Sequence, residues 1–208
     1  MSDAIQLKRM EERPKPPQPE EVELRFSKEA AKELELILTH YPNKKAAILP
    51  ALWIAQREYG GALTDQALQE VAVRLHRSYA EIEGVATFYS MYNVRHLVGK
   101  HKIEVCTCIC CQVCGGYQIL DYLKRKLGIE AGETTSDGVF TLHEVECLNA
   151  CDRAPLLQVG TEYHGPMDEQ KIDALIEDLK KKDESSIVQL ADTLVRVHLR
   201  NTEYDQIR

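Results

Sequence analysis

Residues 102–116 read KIEVCTCICCQVCGG, and residues 144–151 read EVECLNAC. In each stretch a run that is typical of a half-buried β-strand ends directly at a cysteine. All seven cysteines of the 208-residue chain lie between Cys106 and Cys151, and the first half of the chain has none. If the two strands are neighbours in one sheet, both cysteine loops leave it at the same edge, and thiolates from the two loops can converge.

The cysteines are expected to be reduced thiols, because the sequence predicts a cytosolic protein. Its first residues lack the apolar block of a secretory signal and are too acidic for a typical organelle transit peptide. The longest mainly apolar stretch, AAILPALWIA at 46–55, contains Pro50 and is shorter than the roughly 20 residues that span a membrane. In a reducing compartment, clustered cysteines indicate metal binding or thiol chemistry rather than structural disulfides.

Three kinds of site fit the cysteine spacing. An iron–sulfur cluster is held by four thiolates, and each loop can give a pair of ligands to a 2Fe-2S unit. Zinc also accepts four cysteines, and both Cys108 with Cys111 and Cys111 with Cys114 have a C-x2-C spacing that zinc sites use. A redox dithiol needs only one such pair and leaves Cys147 and Cys151 without a role. The spacing alone leaves all three sites open.

The residues outside the cysteine loops predict a helical first part. Ser27, Thr64 and Ser78 have the positions of helix N-caps. A further helix is predicted over 44–59, with a bend at Pro50, because proline removes a backbone donor. Short helices joined by short connections are typical of a bundle.

The second part of the chain has the pattern of a compact α/β domain. Strands are predicted over 102–105, 139–146, 156–159 and 161–164, and helices cover Ile119 to Leu127 and the residues after Asp168. An apolar stripe from Ile187 to Val197 predicts a last helix, which packs either on its own domain or on another subunit. The predicted units are a flexible segment (1–26), a helical bundle (27–98), an α/β unit (99–182) and a helical extension (183–208). The fold class is therefore α+β.

Composition and motifs exclude several functions. The formal net charge of −7 argues against a nucleic-acid partner, because phosphate binding needs a basic surface. The sequence contains no G-x-G-x-x-G turn, no P-loop and no nucleophile–base pair. We therefore expect no NADH site and no active site on this chain.

Longer motifs resemble the family of the E subunits of NADH-quinone oxidoreductase, the thioredoxin-like 2Fe-2S subunits of respiratory complex I. These motifs are LPAL (49–52), GVATFYSMY (84–92), VCTCICC (105–111) followed by GGY (115–117), and FTLHEVECLNAC (140–151) followed by AP (154–155). The similarity covers about residues 27–180. It implies a thioredoxin-like α/β domain that carries one 2Fe-2S cluster. The implied ligands are Cys106, Cys111, Cys147 and Cys151.

Three cysteines depart from the family pattern. Cys108, Cys110 and Cys114 lie where the family generally has other residues, and we expect them to be buried or half-exposed thiols without a ligand role. A shift of one ligand from Cys111 to the adjacent Cys110 is an open alternative. The resemblance says nothing of the residues after Lys182.

The resemblance also implies a function. Similar proteins are non-catalytic, electron-carrying subunits that exchange electrons with the FMN of a neighbouring, NADH-oxidising subunit. We thus expect FMN and NADH to bind to that partner. We also expect a further iron–sulfur subunit in the same complex. The expected location is the cytoplasm, peripheral to the inner membrane through the complex. The alternatives are the equivalent subunit of a soluble NAD-reducing hydrogenase or formate dehydrogenase, and a zinc-stabilised interaction module.

Overall fold

The computed structural model describes residues 17–95 and 98–199, which contain eight α-helices and four β-strands. The helices are α1 (Lys28–Thr39), α2 (Ile48–Glu58), α3 (Asp65–Leu75), α4 (Tyr79–Phe88), α5 (Ile109–Val113), α6 (Gly116–Leu127), α7 (Glu169–Lys181) and α8 (Ser186–Leu199). The strands are β1 (His101–Cys106), β2 (Phe140–Val145), β3 (Leu157–Val159) and β4 (Glu162–His164). The α+β class is confirmed.

The helices of the first part begin at the predicted caps. The side-chain oxygens of Ser27, Thr64 and Ser78 each accept the amide N–H three residues later, at 3.1, 3.2 and 3.3 Å. Helix α2 is shorter than predicted, because it begins at Ile48. Pro50 then lies in the first helical turn, where its missing N–H costs no hydrogen bond. The sequence-based reason for a bend at Pro50 is therefore absent.

Helix α8 packs on the helical part of the molecule. Its residues Ala191, Val195 and Leu199 are buried in the same apolar core as the inward faces of α1 to α4. The sequence predicted that this helix packs either on its own domain or on another subunit. In the structure it packs on the helical part instead. An amphipathic stripe can pack on any apolar surface of suitable shape, so its pattern alone does not choose a partner.

The predicted flexible segment 1–26 falls partly outside the described residues, which begin at 17. In the described part, the backbone N–H groups of Arg25 and Phe26 donate to the buried carboxylate of Glu70 at 2.8 and 3.0 Å. These bonds fix the approach to α1 against α3. The domain boundaries at 26, 98 and 182 stay predictions.

A four-stranded mixed sheet positions the cysteines. Its strand order is β2-β1-β3-β4, with β1 and β2 parallel and the other two pairs antiparallel. The four predicted strands are confirmed, and Cys106 lies opposite Val145 in the β1–β2 register. Helices α6 and α7 share a second apolar core with the sheet. Because β1 and β2 run parallel, the loops that follow them leave the sheet at one edge.

Candidate metal centre

The first cysteine loop, residues 106–116, is tied to the sheet at its start. The backbone N–H of Cys106 donates to the carbonyl of Leu156 at 3.1 Å, and that of Thr107 donates to the carbonyl of Val145 at 3.0 Å. The hydroxyl of Thr107 also donates to the carboxylate of Glu144 at 2.8 Å. Helix α5 then turns the chain back, so that its thiols stay near the strand end.

Two glycines close the first loop. Gly115 has a φ of +99°, in the left-handed region that favours glycine. Gly116 is buried at the start of α6, and a Cβ there would lie 3.0 Å from the carbonyl oxygens of Cys106 and Cys111. The loop folds directly onto α6, and a side chain at residue 116 would crowd this contact.

The second cysteine loop, residues 147–153, is shaped by individual residues. Asn149 has a φ of +56°, and its N–H donates to the Sγ of Cys147 at 3.4 Å. A short 3₁₀ helix spans Cys151–Arg153. The backbone carbonyl of Arg153 lies against Gly165, and a Cβ added at residue 165 would overlap the carbonyl oxygen of Arg153. Asn149 suits its position, because asparagine tolerates the left-handed conformation better than most residues.

The two loops bring five sulfur atoms together. The Sγ atoms of Cys106, Cys108 and Cys111 lie within 4.8 Å of one another, and so do those of Cys108, Cys147 and Cys151. The Sγ of Cys108 is 3.5 Å from that of Cys106, whose thiol in turn donates to the carbonyl of Glu146 at 3.5 Å. The four predicted ligands thus lie at one edge of the sheet, around Cys108.

The cysteines differ in burial, and all seven are free thiols. Cys106 and Cys111 are buried, whereas Cys147 and Cys151 are exposed. Of the three additional cysteines, Cys108 is half-buried, and Cys110 and Cys114 are exposed. The first loop therefore gives a buried pair and the second an exposed pair.

The surroundings shift the thiol pKa values in opposite directions. A hydrogen bond from the backbone N–H of Cys111, with a second from Cys106, lowers the pKa of Cys108 to about 7. Burial raises the pKa of the Cys111 thiol to about 12. A hydrogen bond with Cys110 raises the pKa of Cys151 to about 11. The thiolate forms of Cys111 and Cys151 are thus disfavoured in the protein alone, and a bound metal ion would stabilise them.

The donor set fits an iron–sulfur cluster. Four soft sulfur donors come as two pairs from two loops, which is what two irons require. All four are free, so no disulfide has to be broken before they bind. Ferric iron would balance the thiolate charge of Cys111 and Cys151, which the protein alone disfavours.

Comparison with known proteins identifies the family. The model of the family described as thioredoxin-like [2Fe-2S] ferredoxin matches residues 34–180. The chain belongs to this family. It is also 40% identical over 159 residues to the second E subunit of NADH-quinone oxidoreductase from Rhizobium meliloti (strain 1021), covering 76% of this chain and 94% of that protein. With the E subunit from Rickettsia felis it shares 43% over 155 residues, which cover 74% and 92% of the two chains. The resemblance seen in the motifs is confirmed.

Solved structures agree with the fold of this family member. The chain aligns with the crystal structure of an NAD+-reducing [NiFe]-hydrogenase in the air-oxidized state, with a TM-score of 0.55 and 24% identity. The alignment covers 63% of this chain and 23% of the hydrogenase chain. The H2-reduced state of the same kind of enzyme gives a TM-score of 0.56 at 23% identity. At this level of identity the likeness concerns the fold alone.

The described residues include no helix long and apolar enough to cross a membrane. Sequence reasoning found the cysteines and the Gly115–Gly116 pair that follows them, but it missed Asn149 and Gly165, which shape the second loop. The partner of Gly165 is Arg153, and nothing local in the sequence links the two.

Proposed function

We propose that the chain is the electron-carrying [2Fe–2S] subunit of an NADH:quinone oxidoreductase, with Cys106, Cys111, Cys147 and Cys151 as the cluster ligands. The observation that carries this proposal is the convergence of free thiols from two separate loops at one sheet edge. The similarity to E subunits of NADH-quinone oxidoreductase over most of their length supports the assignment to that complex.

The proposed ligand pairs have different tasks. The Cys106 and Cys111 thiols are buried, so they would hold one iron and keep water from it. Cys147 and Cys151 are exposed, so they would hold the other iron at the surface. When bound, the cluster would accept and release one electron, and all-cysteine clusters of the ferredoxin kind have potentials of about −400 mV.

The chain's own residues tune that potential. Glu104, Glu144 and Glu146 lie beside the loops, and negative charge near the sulfurs lowers the potential. The charge of Glu104 is partly compensated, because it pairs with Lys102 at 3.0 Å, and Glu144 accepts a hydrogen bond from Thr107. Glu146 directly precedes Cys147 in the chain, so we assign it the larger effect.

A partner protein is proposed to cover the first loop. The large apolar side chains of Ile109 and Val113 on α5 are 72% and 80% exposed. Exposed apolar side chains beside a redox site are typical of a surface that another protein covers. We propose that this partner carries FMN and the NADH site, with a further iron–sulfur subunit in the same complex. The chain would carry no catalytic site and would lie in the cytoplasm, peripheral to the inner membrane through that complex.

Purification of the tagged chain from its native cells tests the proposed function. We expect it to copurify with a membrane-bound, FMN-containing NADH:quinone oxidoreductase, and NADH to elicit the signal of a reduced [2Fe–2S] cluster in electron paramagnetic resonance (EPR). Copurification with a soluble hydrogenase or formate dehydrogenase would assign the chain to that enzyme instead. A colourless chain that contains zinc would refute the electron-carrying role.

A further inference from the structure

The first loop contains more thiols than a cluster needs, and Cys108 has the position of a ligand. Its Sγ lies within 4.8 Å of those of Cys106 and Cys111 and, separately, of those of Cys147 and Cys151. Among the described residues, it is the one cysteine that belongs to both of these groups. Cys108 therefore touches both halves of the proposed cluster site.

The backbone around Cys108 suits a pair formed with Cys111. The N–H of Gln112 donates to the carbonyl of Cys108 at 2.8 Å, which is the first turn of α5. This turn places Cys108 and Cys111 on one side of the loop in a C-x2-C spacing, which chelates metals in zinc and iron–sulfur proteins. Cys106 precedes them at the end of β1, and its Sγ is only 3.5 Å from that of Cys108.

We propose that Cys108 is a reserve ligand of the cluster. Where the thiolate of Cys106 is lost, the first loop supplies the pair Cys108 and Cys111 instead, and the second loop is unchanged. The bond from iron to the Sγ of Cys108 replaces the bond to the Sγ of Cys106, and the Cys108 proton passes to solvent. No oxidant or reductant is needed. The inference rests on the proposed function and adds a fifth residue that can bind the cluster.

The test compares three variants of the full-length chain with the unmodified protein. They are Cys106→Ala, Cys106→Ala with Cys108→Ala, and Cys106→Ala with Cys114→Ala. Alanine removes the sulfur and offers no oxygen ligand in its place. Cys114 is the matched control, because it lies in the same loop but in neither sulfur group. The readouts are iron and acid-labile sulfide per chain, and the EPR spectrum after reduction with dithionite.

We expect Cys106→Ala to keep a cluster with a shifted EPR spectrum, because one ligand has changed. Adding Cys108→Ala should lower the iron content at least about tenfold, since the loss of groups that merely support metal ligands already costs about tenfold or more in metal affinity. Adding Cys114→Ala should leave the iron content and the spectrum of Cys106→Ala unchanged.

Several results would overturn the reserve role. A Cys106→Ala chain without iron, beside an unmodified chain that has it, would refute the reserve role and leave the proposed function standing. An unchanged EPR spectrum in Cys106→Ala would show that Cys106 is not a ligand. Equal losses of iron in the two double variants would indicate that the substitutions damage the loop in general. An unmodified chain without iron and sulfide would refute the proposed function as well.

Circular dichroism and a second substitution address misfolding. Cys106→Ser keeps the size of the buried side chain, and the same comparison with and without Cys108→Ala is made in that variant. Loss of the folded spectrum in both Cys106 variants would also contradict the proposal, because a reserve ligand requires a loop that keeps its shape.

Discussion

The two cysteine loops reach the same site by different means. The first loop, 106–116, has five cysteines and contains helix α5. The second loop, 147–153, has two cysteines, both exposed, and its shape depends on one left-handed residue and one close backbone contact. The first loop has spare sulfur and an α-helix, whereas the second has no third cysteine and only a 3₁₀ turn.

This difference indicates which of the two loops tolerates substitutions better. Loss of one thiol from the first loop leaves others of the same loop within reach, whereas the second loop contains no cysteine besides Cys147 and Cys151. Changes to the backbone should likewise cost more in the second loop, where no α-helix stabilises the turn. Matched substitutions in the two loops test this contrast.

The largest effect is expected when the second loop loses both thiols. In the variant Cys147→Ala with Cys151→Ala, five cysteines remain in the first loop. We expect the iron content to fall at least about tenfold all the same, because two ligands from a second loop are required. Iron and sulfide analysis checks this. Retention of most of the iron would show that the first loop holds the metal alone.

The next largest effect is expected on the free energy of unfolding, when two glycines that support the loops are replaced by alanine. A Cβ at Gly165 would overlap the backbone oxygen of Arg153 and lie 2.9 Å from the Cβ of Leu156, whereas a Cβ at Gly116 meets backbone atoms at 3.0 Å. We expect Gly116→Ala to lower the free energy of unfolding by about 1–3 kcal/mol, as overpacking does, and Gly165→Ala to lower it by more. Guanidinium denaturation of the two full-length variants measures this order. A larger loss for Gly116→Ala would contradict the contrast between the loops.

A smaller effect is expected at the left-handed turn of the second loop. Asn149→Val should lower the free energy of unfolding by about 1–2 kcal/mol, because a β-branched side chain disfavours a φ of +56°. Asn149→Gly is the control, and it should cost less because glycine adopts this conformation freely. Thermal and denaturant unfolding compare the pair. Equal losses would mean that the Asn149 side chain, rather than its backbone, stabilises the turn.

The smallest effect is expected at Cys114. It is exposed, and it lies in neither sulfur group. Cys114→Ala should change the free energy of unfolding by less than about 0.5 kcal/mol and leave the cluster content unchanged. A loss of iron in this variant would indicate that the ligands include Cys114, near the C-terminal end of the first loop.

Sequence reasoning predicted the part of the site that local patterns encode. Strand periodicity located the ends of β1 and β2, and the two cysteine groups followed directly from them. Helix α5 was missed, because five residues are too few to show helical periodicity. The packing of α8 and the contact of Gly165 with Arg153 were also missed. Both depend on surfaces that come together only in the folded chain.

Iron, zinc and acid-labile sulfide analysis of the purified full-length chain tests the central claim most directly, with EPR after reduction by dithionite. We predict two irons and two sulfides per chain and the signal of a singly reduced [2Fe–2S] cluster. A chain that holds zinc without sulfide, and gives no signal on reduction, would contradict this prediction.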